Sequence, residues 1–445
     1  MKNIYSFLLF FFCAITFAQF KVQDSVPVFK KKVLESTEVD ILLSYYNQDG
    51  IHSAVSGGNG TEKLTDIATN IIVAIPMNAD DILTIDTGIS AYTSASSSNI
   101  NPFDSATPTP WQSSSGASEQ DNLVNVVGNY SHSSDDRNFI WNADISASTE
   151  YDYTSFGFGG GIAKLFNEKN TEFNIKANVY LDKWSPIYPK ELVSFIGTVY
   201  DQNGMVTNGF SNSGFSRFTN TNRNSYSLSL GFSQILSKKL QVSFFLDILG
   251  QNGLLSTPYH RVYFADKPNY YAGNPTFISN YSDKSNTGVF QLADALERLP
   301  DTRFKTPFGI RLNYYVNERF KVRTYYRFYT DDWGISSHTA SIELPIKLND
   351  KFTVYPMYRY YTQTQSKYFA GYEQHLSTQY FYTSDYDLSG FSSNQYGMGL
   401  TYVDIFTKTR IWKFGLKSID FRYNNYQRSD TLSANIFTLA FKFIM

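Results

Sequence analysis

Cysteine is almost absent from this sequence: Cys13 is the only one among 445 residues. It lies in an apolar N-terminal run that follows Lys2 and ends at the small residues Thr16 and Ala18, which is the pattern of an export signal. We therefore expect residues 1–18 to be a signal peptide that is removed after Ala18. The mature chain would then contain no cysteine, which excludes disulfides, thiolate metal sites and cysteine nucleophiles.

The chain also lacks a surplus of either charge and a long hydrophobic run. Its 38 basic and 40 acidic residues give a formal charge of -2, and this balance argues against a nucleic-acid partner, because phosphate binding needs a basic surplus. Beyond residue 20, no run reaches the roughly 18 consecutive apolar residues that span a membrane as a helix. If the chain crosses a membrane, we expect it to do so as a closed sheet, in which every backbone polar group is paired.

Aromatic residues and period-two alternation are what the sequence has in abundance. Phe, Trp and Tyr make up 17% of the chain, and from Glu38 onward apolar and polar residues alternate over segments of about ten residues, which is typical of strands. One such apolar series is Val39, Ile41, Leu43 and Tyr45, and another is Phe173, Ile175, Ala177, Val179 and Leu181. The last strand shows the same pattern in Phe437, Leu439, Phe441, Phe443 and Met445.

The links between these segments alternate in length. Short turns are predicted near residues 78–81, 133–138, 167–170, 237–239, 317–319 and 349–351, and long polar links over residues 94–120, 185–224, 252–302 and 364–394. Short turns at one end and long loops at the other are typical of outer-membrane barrels.

We therefore predict an all-β fold: a transmembrane antiparallel β-barrel of about 16 strands, with short periplasmic turns, long extracellular loops and both termini at the turn end. Residues 19–37 are interpreted as a periplasmic tail and residues 38–445 as the barrel. A strand-rich soluble core is the alternative that alternation alone leaves open.

Four stretches carry a resemblance to a known family: EVDILLSYYNQDGIHSAVSGGNGTE at residues 38–62, PYHRVYF at 258–264, RLPDTRFK at 298–305 and RYNNYQRSDTL at 422–432. In these stretches the chain resembles a family of Bacteroidota outer-membrane β-barrels that is catalogued only as a domain of unknown function. The resemblance covers nearly the whole mature chain. It implies a barrel in the outer membrane, and it implies no activity and no site residues.

Few residues indicate catalysis, a cofactor or a metal. The histidines are His52, His132, His260, His338 and His375. Two of them lie in predicted outer loops and one lies beside an inner turn, so they do not all converge on one site, and we predict no enzyme, no catalytic residue and no cofactor. Asp49, Glu62 and Asp66 offer oxygen ligands, but their spacing matches no metal loop, so no metal site is predicted.

The longest predicted loop contains two features of interest. His260 and Arg261, between Tyr259 and Tyr263, are candidates for binding an anionic sugar or phosphate, and loop packing is the alternative role for them. Farther along the loop, apolar residues recur at helical spacing and predict a short helix that either narrows the lumen or packs over the barrel mouth. These residues are Val289, Leu292, Ala293, Leu296 and Leu299.

The charges that alternation places inward differ between the two halves of the chain. Later strands carry the predicted lumen-lining cations Lys305, Arg311, Lys321, Arg323, Arg327, Arg359, Arg422 and Lys442, with the acids Glu343 and Asp420 among them. Earlier strands carry Asp40, Asp86, Asp144, Glu172 and Asp182, with Lys176 among them. A basic wall opposite an acidic wall would orient polar solutes, whereas charges paired across the lumen would close it, and the sequence leaves both arrangements open.

The function predicted from these features is a channel or transport-related barrel for small polar or anionic solutes. The alternative is a structural or scaffold barrel that binds partner proteins through its loops or periplasmic turns. The expected partners are outer-membrane lipid, the barrel-assembly machinery and a small anionic solute, with no nucleic acid. A plugged transporter does not fit, because residues 19–37 are too few for a plug domain.

Overall fold

The structure is a computed structural model, and it describes residues 31–93, 120–194, 197–212, 215–281 and 288–445. The predicted signal peptide and the predicted long loop that begins at residue 94 lie outside these described residues, apart from the loop's last residue. No helix in the described part of the chain is long and apolar enough to cross a membrane.

Sixteen antiparallel strands form one closed barrel, as the sequence predicted. Each strand pairs with the strands before and after it in the chain, and the last strand returns to pair with the first along its whole length, from Glu38 opposite Ile444 to Asp49 opposite Ser433. The strands are β1 (Glu38–Asp49), β2 (Leu64–Pro76), β3 (Asp81–Thr93), β4 (Gln120–Ser133), β5 (Phe139–Thr149), β6 (Tyr153–Phe166), β7 (Thr171–Trp184), β8 (Asn222–Ser237), β9 (Leu240–Gly253), β10 (Thr302–Lys305 continued by Phe308–Tyr315), β11 (Lys321–Thr330), β12 (Ser336–Glu343 continued by Ile346–Lys347), β13 (Phe352–Gln363), β14 (Phe391–Val403), β15 (Phe414–Arg428) and β16 (Ser433–Ile444).

Two prolines explain why β10 and β12 are each divided into two segments. Pro307 and Pro345 have no N–H group to donate to a neighbouring strand, so the ladder is interrupted at those positions. Their carbonyl groups remain in use, because Pro307 accepts a hydrogen bond from Asp247 N at 2.9 Å and Pro345 accepts one from Lys321 N at 3.1 Å. Each pair of segments therefore acts as a single barrel strand.

One end of the barrel, which we call the turn end, carries short links. They span residues 77–80, 134–138, 167–170, 238–239, 316–320, 348–351 and 404–413, and the last of them contains the two-residue strand Arg410–Ile411. Three of these links use the same local structure, in which the side-chain oxygen of Asn78, Asn317 or Asn349 accepts hydrogen bonds from the backbone N–H groups two and three residues later. The predicted turns are confirmed, and both ends of the barrel chain lie on this side.

The opposite end, which we call the loop end, carries the long links over residues 185–221, 254–301 and 364–390, together with a shorter link over residues 50–63. These loops contain short elements of their own. They are the helix α1 (Lys190–Ser194), the 3-10 turns Ala54–Ser56, Pro275–Asn280 and Tyr386–Leu388, and the short strands Arg261–Val262, Tyr270–Gly273, Val289–Leu292 and Ala295–Leu296. The long links predicted over residues 185–224, 252–302 and 364–394 are confirmed, but the loop end also carries short links over residues 150–152, 331–335 and 429–432, so the alternation is not uniform.

The packed core of the protein lies in the loops. Leu192, Tyr263, Ala293 and Leu296 form one buried cluster there, and a second one joins Leu255 and Leu299 to Trp333. The barrel wall differs, because its outward side chains are apolar and largely exposed, with 59% of Ile67, 60% of Ile145 and 64% of Phe156 accessible. Its inward side chains, which alternate with the outward ones along each strand, are mostly polar.

The helix predicted from the spacing of Val289, Leu292, Ala293, Leu296 and Leu299 is wrong. Val289–Leu292 pairs with Tyr270–Gly273, and Ala295–Leu296 pairs with Arg261–Val262. The segment is buried between other loop segments, with Leu292 1% and Ala293 0% exposed. Burial on two sides makes apolar residues frequent at all positions, and such a run matches helical spacing without forming a helix.

The backbone conformation at the entry to the longest loop can be tested with two glycines near the loop end of β9, Gly253 and Gly250. Gly253 has φ of +117°, and a Cβ there would lie 2.0 Å from the carbonyl oxygen of Asn222, whereas a Cβ at Gly250 would meet no atom within 4 Å. We expect Gly253→Ala to lower the free energy of unfolding by about 1 to 3 kcal/mol. Gly250→Ala is the matched control and should leave it nearly unchanged or slightly higher. Denaturant titration of the folded barrel measures both, and equal effects would contradict the assigned backbone conformation.

Candidate functional site

The predicted lumen-lining cations lie on the polar, inward face of the wall. Arg327 pairs with Gly309 and Arg311 pairs with Tyr325, between the outward residues Phe308 and Tyr326. By the same alternation the inward set comprises Lys305 and Arg311 on β10, Lys321, Arg323 and Arg327 on β11, Arg359 on β13, Arg422 on β15 and Lys442 on β16.

These cations divide into paired and unpaired groups. Arg323 lies 2.8 Å from Glu343, and Arg422 lies 3.6 Å from Glu343 and 3.3 Å from Asp420. Lys442 binds Glu38 at 2.6 Å. By contrast, no carboxylate of a described residue forms a salt bridge with Arg311, Arg327 or Arg359; the first two lie over the rings of Tyr325 and Tyr329, at 5.7 and 5.9 Å.

Acidic residues of several earlier strands lie opposite this basic wall, whereas Asp40 lies beside Lys442 of the adjacent strand, at 3.6 Å. In a closed barrel of sixteen strands, positions eight strands apart are opposite, so Asp86 on β3 is opposite β11, and Asp144 on β5 is opposite β13. Asp144 is paired with Lys176 of β7 at 3.2 Å. Every ion pair found between barrel strands in the described chain joins strands no more than three positions apart, so these pairs run along the wall and do not cross the lumen.

Two aromatic rings of the basic wall lie flat against it. A Cβ at Gly309 would lie 2.1 Å from the ring of Phe245, and a Cβ at Gly399 would lie 1.9 Å from the ring of Tyr355. Each ring thus covers a glycine on the neighbouring strand. Because only glycine leaves this space, these bulky side chains extend along the sheet and not toward the barrel axis.

At the loop end, a continuous series of contacts joins opposite walls. β7 and β15 are eight positions apart, and loops 254–301 and 364–390 connect them. We call this series the loop bridge, and it consists of Trp184, Tyr259, His260, Glu297, Asp385, Tyr386 and Arg428. The ring of Tyr259 lies 6.3 Å from that of Trp184 and 5.5 Å from that of His260. At the other wall, Arg428 donates a hydrogen bond to the backbone oxygen of Tyr386 at 2.8 Å.

The middle of the loop bridge is a cluster of three titratable groups. His260 Nδ1 lies 3.4 Å from Glu297 Oε2 and 4.0 Å from Asp385 Oδ2, and the three ligand atoms all lie within 4.8 Å of one another. Glu297 is 2% exposed and also accepts hydrogen bonds from Thr257 N, at 2.7 Å, and from the Thr383 hydroxyl. The cluster therefore joins two loops that are distant in sequence.

Burial and charge shift the pKa values of this cluster. Burial, together with the neighbouring charge of Asp387, raises the pKa of Asp385 to about 7. Burial alone would lower the pKa of His260, but the negative charge of Glu297 outweighs it, so the pKa of His260 is raised. The pKa of Glu297 is lowered despite its burial, because His260 and Thr383 stabilise the carboxylate.

Arg261, the second loop-binding candidate, is buried in the loops. Only 1% of it is exposed, and Glu191 is 0% exposed. The guanidinium donates to Glu191 through Nε at 2.6 Å and Nη2 at 3.4 Å, and to the backbone oxygen of Val55 through Nη1 at 3.1 Å. All three nitrogens are engaged, so in this structure Arg261 joins three loops and presents no free face to a solute.

Sequence reasoning missed Glu191, Glu297 and Asp385. Glu297 offered one signal, because it interrupts the apolar run between Leu296 and Leu299, where an acid would be buried and would need a partner. Nothing in the sequence links Glu191 to Arg261 or Asp385 to His260.

The buried Arg261–Glu191 pair leads to a prediction about the loops. Glu191→Leu removes one partner and leaves a buried, uncompensated guanidinium, which costs about 3 to 5 kcal/mol. We expect trypsin to cleave the loops faster while the barrel stays folded. Replacing both residues, with Glu191→Leu and Arg261→Met, should restore much of the protection, because no charge then remains buried. Equal cleavage rates in the single and double variants would contradict this account.

Comparisons with known proteins identify the family of the chain. Among solved structures, a bacterial polysaccharide outer membrane secretin matches with 8% identity and a TM-score of 0.42, over 92% of this chain and 99% of that chain. A FadL homologue of Pseudomonas aeruginosa matches with 10% identity and a TM-score of 0.38, over 92% of this chain and 90% of that chain. A BenF-like porin from Pseudomonas fluorescens Pf-5 matches with 7% identity and a TM-score of 0.38, over 93% of this chain and 100% of that chain. No curated protein matches the chain.

Residues 12–434 match a family described as "Protein of unknown function (DUF3570)". Because this match spans most of the chain, the protein belongs to that family, which is of unknown function as the sequence resemblance predicted.

Proposed function

We propose that the protein is an outer-membrane channel for small polar solutes, with a preference for anions. The observation that carries the proposal is a group of three arginines that form no salt bridge with a described residue, Arg311, Arg327 and Arg359, on the inward face of β10, β11 and β13.

The outer surface of the wall supports a membrane location. Its exposed side chains are apolar around the whole barrel, including Ile89, Phe158, Tyr226 and Met398, each 46% exposed or more. Exposed apolar surface of this extent is costly in water and is typical of a barrel surrounded by lipid. A closed sheet also leaves no unpaired strand edge, as lipid requires.

The inner wall supports passage of solutes. The side chain of Arg323 is 53% exposed although it is paired, and that of Lys176 is 48% exposed. Inward-pointing charges with this accessibility line space that water reaches. Unpaired guanidinium groups there attract anions, and their fields are screened less beside a low-dielectric wall than on a free surface.

The loop bridge restricts what can enter. It crosses the loop end between β7 and β15, so a solute must pass beside it or wait until it moves. Partial obstruction of this kind favours small solutes over large ones.

Charge reversal tests the selectivity of the proposed channel. We expect Arg327→Glu combined with Arg359→Glu to move the reversal potential in a salt gradient toward cation preference, because two unpaired positive charges become negative. The measurement is single-channel recording of purified protein in planar bilayers. Lys351→Glu, in a short turn of the turn end, is the matched control and should change the reversal potential much less.

Each outcome of this experiment decides a separate point. A wild-type protein that conducts nothing would refute the channel, and a scaffold that binds partner proteins through its loops would replace it. A channel whose selectivity is the same in the double variant and in the wild type would refute the role given to these arginines.

Membrane topology gives an independent test. Because the mature chain is predicted to lack cysteine, Gln202→Cys in loop 185–221 and Lys351→Cys in a turn can each be labelled selectively. Both positions are exposed. On intact cells, we expect an impermeant thiol reagent to label the first variant and not the second, whereas after lysis it should label both. The reverse pattern, or a protein recovered in the soluble fraction, would contradict the proposed location.

A further inference from the structure

We propose that His260, Glu297 and Asp385 bind a divalent transition-metal ion at the centre of the loop bridge. The proposal is independent of solute passage, because it concerns the loops and not the wall. Four observations support it: the donor set, its spacing, the way its members are held, and the surrounding charge.

The donor set is one imidazole and two carboxylates. Imidazole is a good ligand for zinc and neighbouring first-row metals, whereas calcium and magnesium prefer sets of oxygen donors. The mixture of nitrogen and oxygen ligands therefore favours a transition metal. Three protein ligands leave at least one coordination position for water.

The spacing of the donor atoms fits a small ion. Metal–ligand bonds of about 2.0 to 2.2 Å place adjacent ligands roughly 3 to 3.5 Å apart. His260 Nδ1 and Glu297 Oε2 are 3.4 Å apart, and His260 Nδ1 and Asp385 Oδ2 are 4.0 Å apart. A shift of the Asp385 carboxylate by roughly 1 Å would complete the arrangement.

Each ligand is held by its surroundings. Glu297 N donates to the backbone oxygen of His260 at 2.8 Å, which fixes these two residues side by side. Oδ1 of Asp385 caps the following turn by accepting from Asp387 N at 2.9 Å, and in the described chain no donor forms a hydrogen bond with its Oδ2, which faces His260. The Thr383 hydroxyl donates to Glu297, so the carboxylate is oriented by a neighbour as metal ligands usually are.

The local charge is predominantly negative. Glu297, Asp385, Asp387, Asp430 and Glu62 lie around this part of the bridge. Arg428 already pairs with Asp387 and Asp430, at 2.5 Å each. Glu297 and Asp385 have the imidazole of His260 as their neighbour, and Glu62 lies near Arg428, which is already paired, and near the imidazole of His52. A divalent cation would offset this surplus, and a buried carboxylate is costly without such compensation.

Zinc titration of the mature, metal-free protein in detergent tests the site. We expect calorimetry to show one zinc site that is weakened at least tenfold by His260→Asn, Asp385→Asn or Glu297→Gln. Asp266→Asn is the matched control, since Asp266 also joins the two loops, by accepting from Ser377 at 2.8 and 2.7 Å, but lies outside the cluster. The control should bind zinc as the wild type does, and zinc should raise the thermal unfolding midpoint of these two proteins and not that of the cluster variants.

Several results would overturn the proposal. They are no zinc binding by the wild type, wild-type affinity in the cluster variants, or displacement of zinc by an equal concentration of calcium. Glu297 is almost fully buried, so its variant could fail to fold. His260 and Asp385 have side chains that are 17% and 26% exposed, and their variants then decide the question provided that they unfold cooperatively.

Discussion

Closure of the sheet, through the pairing of β1 with β16, is the constraint on which the rest of the structure depends. Once the last strand meets the first, every strand has two neighbours and every side chain points either outward or inward. The outward positions are apolar and the inward positions are polar, so the wall itself has no place for a packed interior. Most of the buried side chains in the described chain therefore lie at the loop end, where the long links fold against one another.

The buried positions of the loops are occupied by charged residues as well as by apolar ones. Arg261 and Glu191 are almost inaccessible, and with Val55 they tie three loops together at a single point. A buried ion pair contributes little net stability compared with apolar packing, but losing one partner is costly. The Arg261–Glu191 pair therefore specifies one arrangement of the loops. The cluster of His260, Glu297 and Asp385 joins two loops in the same way.

The sequence predicted the wall much better than the loops. Strand faces follow from a period of two, and the turns at Asn78, Asn317 and Asn349 follow from local side-chain hydrogen bonds, so both are readable over a few residues. The predicted helix at residues 289–299 failed because that segment is buried by contacts with residues far along the chain. The cluster of His260, Glu297 and Asp385 was missed for the same reason, since Asp385 lies in a different loop, far along the chain from His260. The Bacteroidota origin implied by the resemblance stays a prediction.

Arg261 and Arg359 differ in solvent exposure, and the sequence alone does not reveal this difference. Arg261 and Arg359 both lie among aromatic and polar residues, and both were candidates for contact with an anion. Arg359 is exposed on the inner wall, where solvent reaches its charge, whereas Arg261 is sealed against Glu191. A charge attracts a solute only where solute can approach, and it fixes a fold only where water cannot. By that criterion we propose Arg359, with Arg311 and Arg327, as the residues that set the preference of the lumen, whereas Arg261 holds the loops above it together.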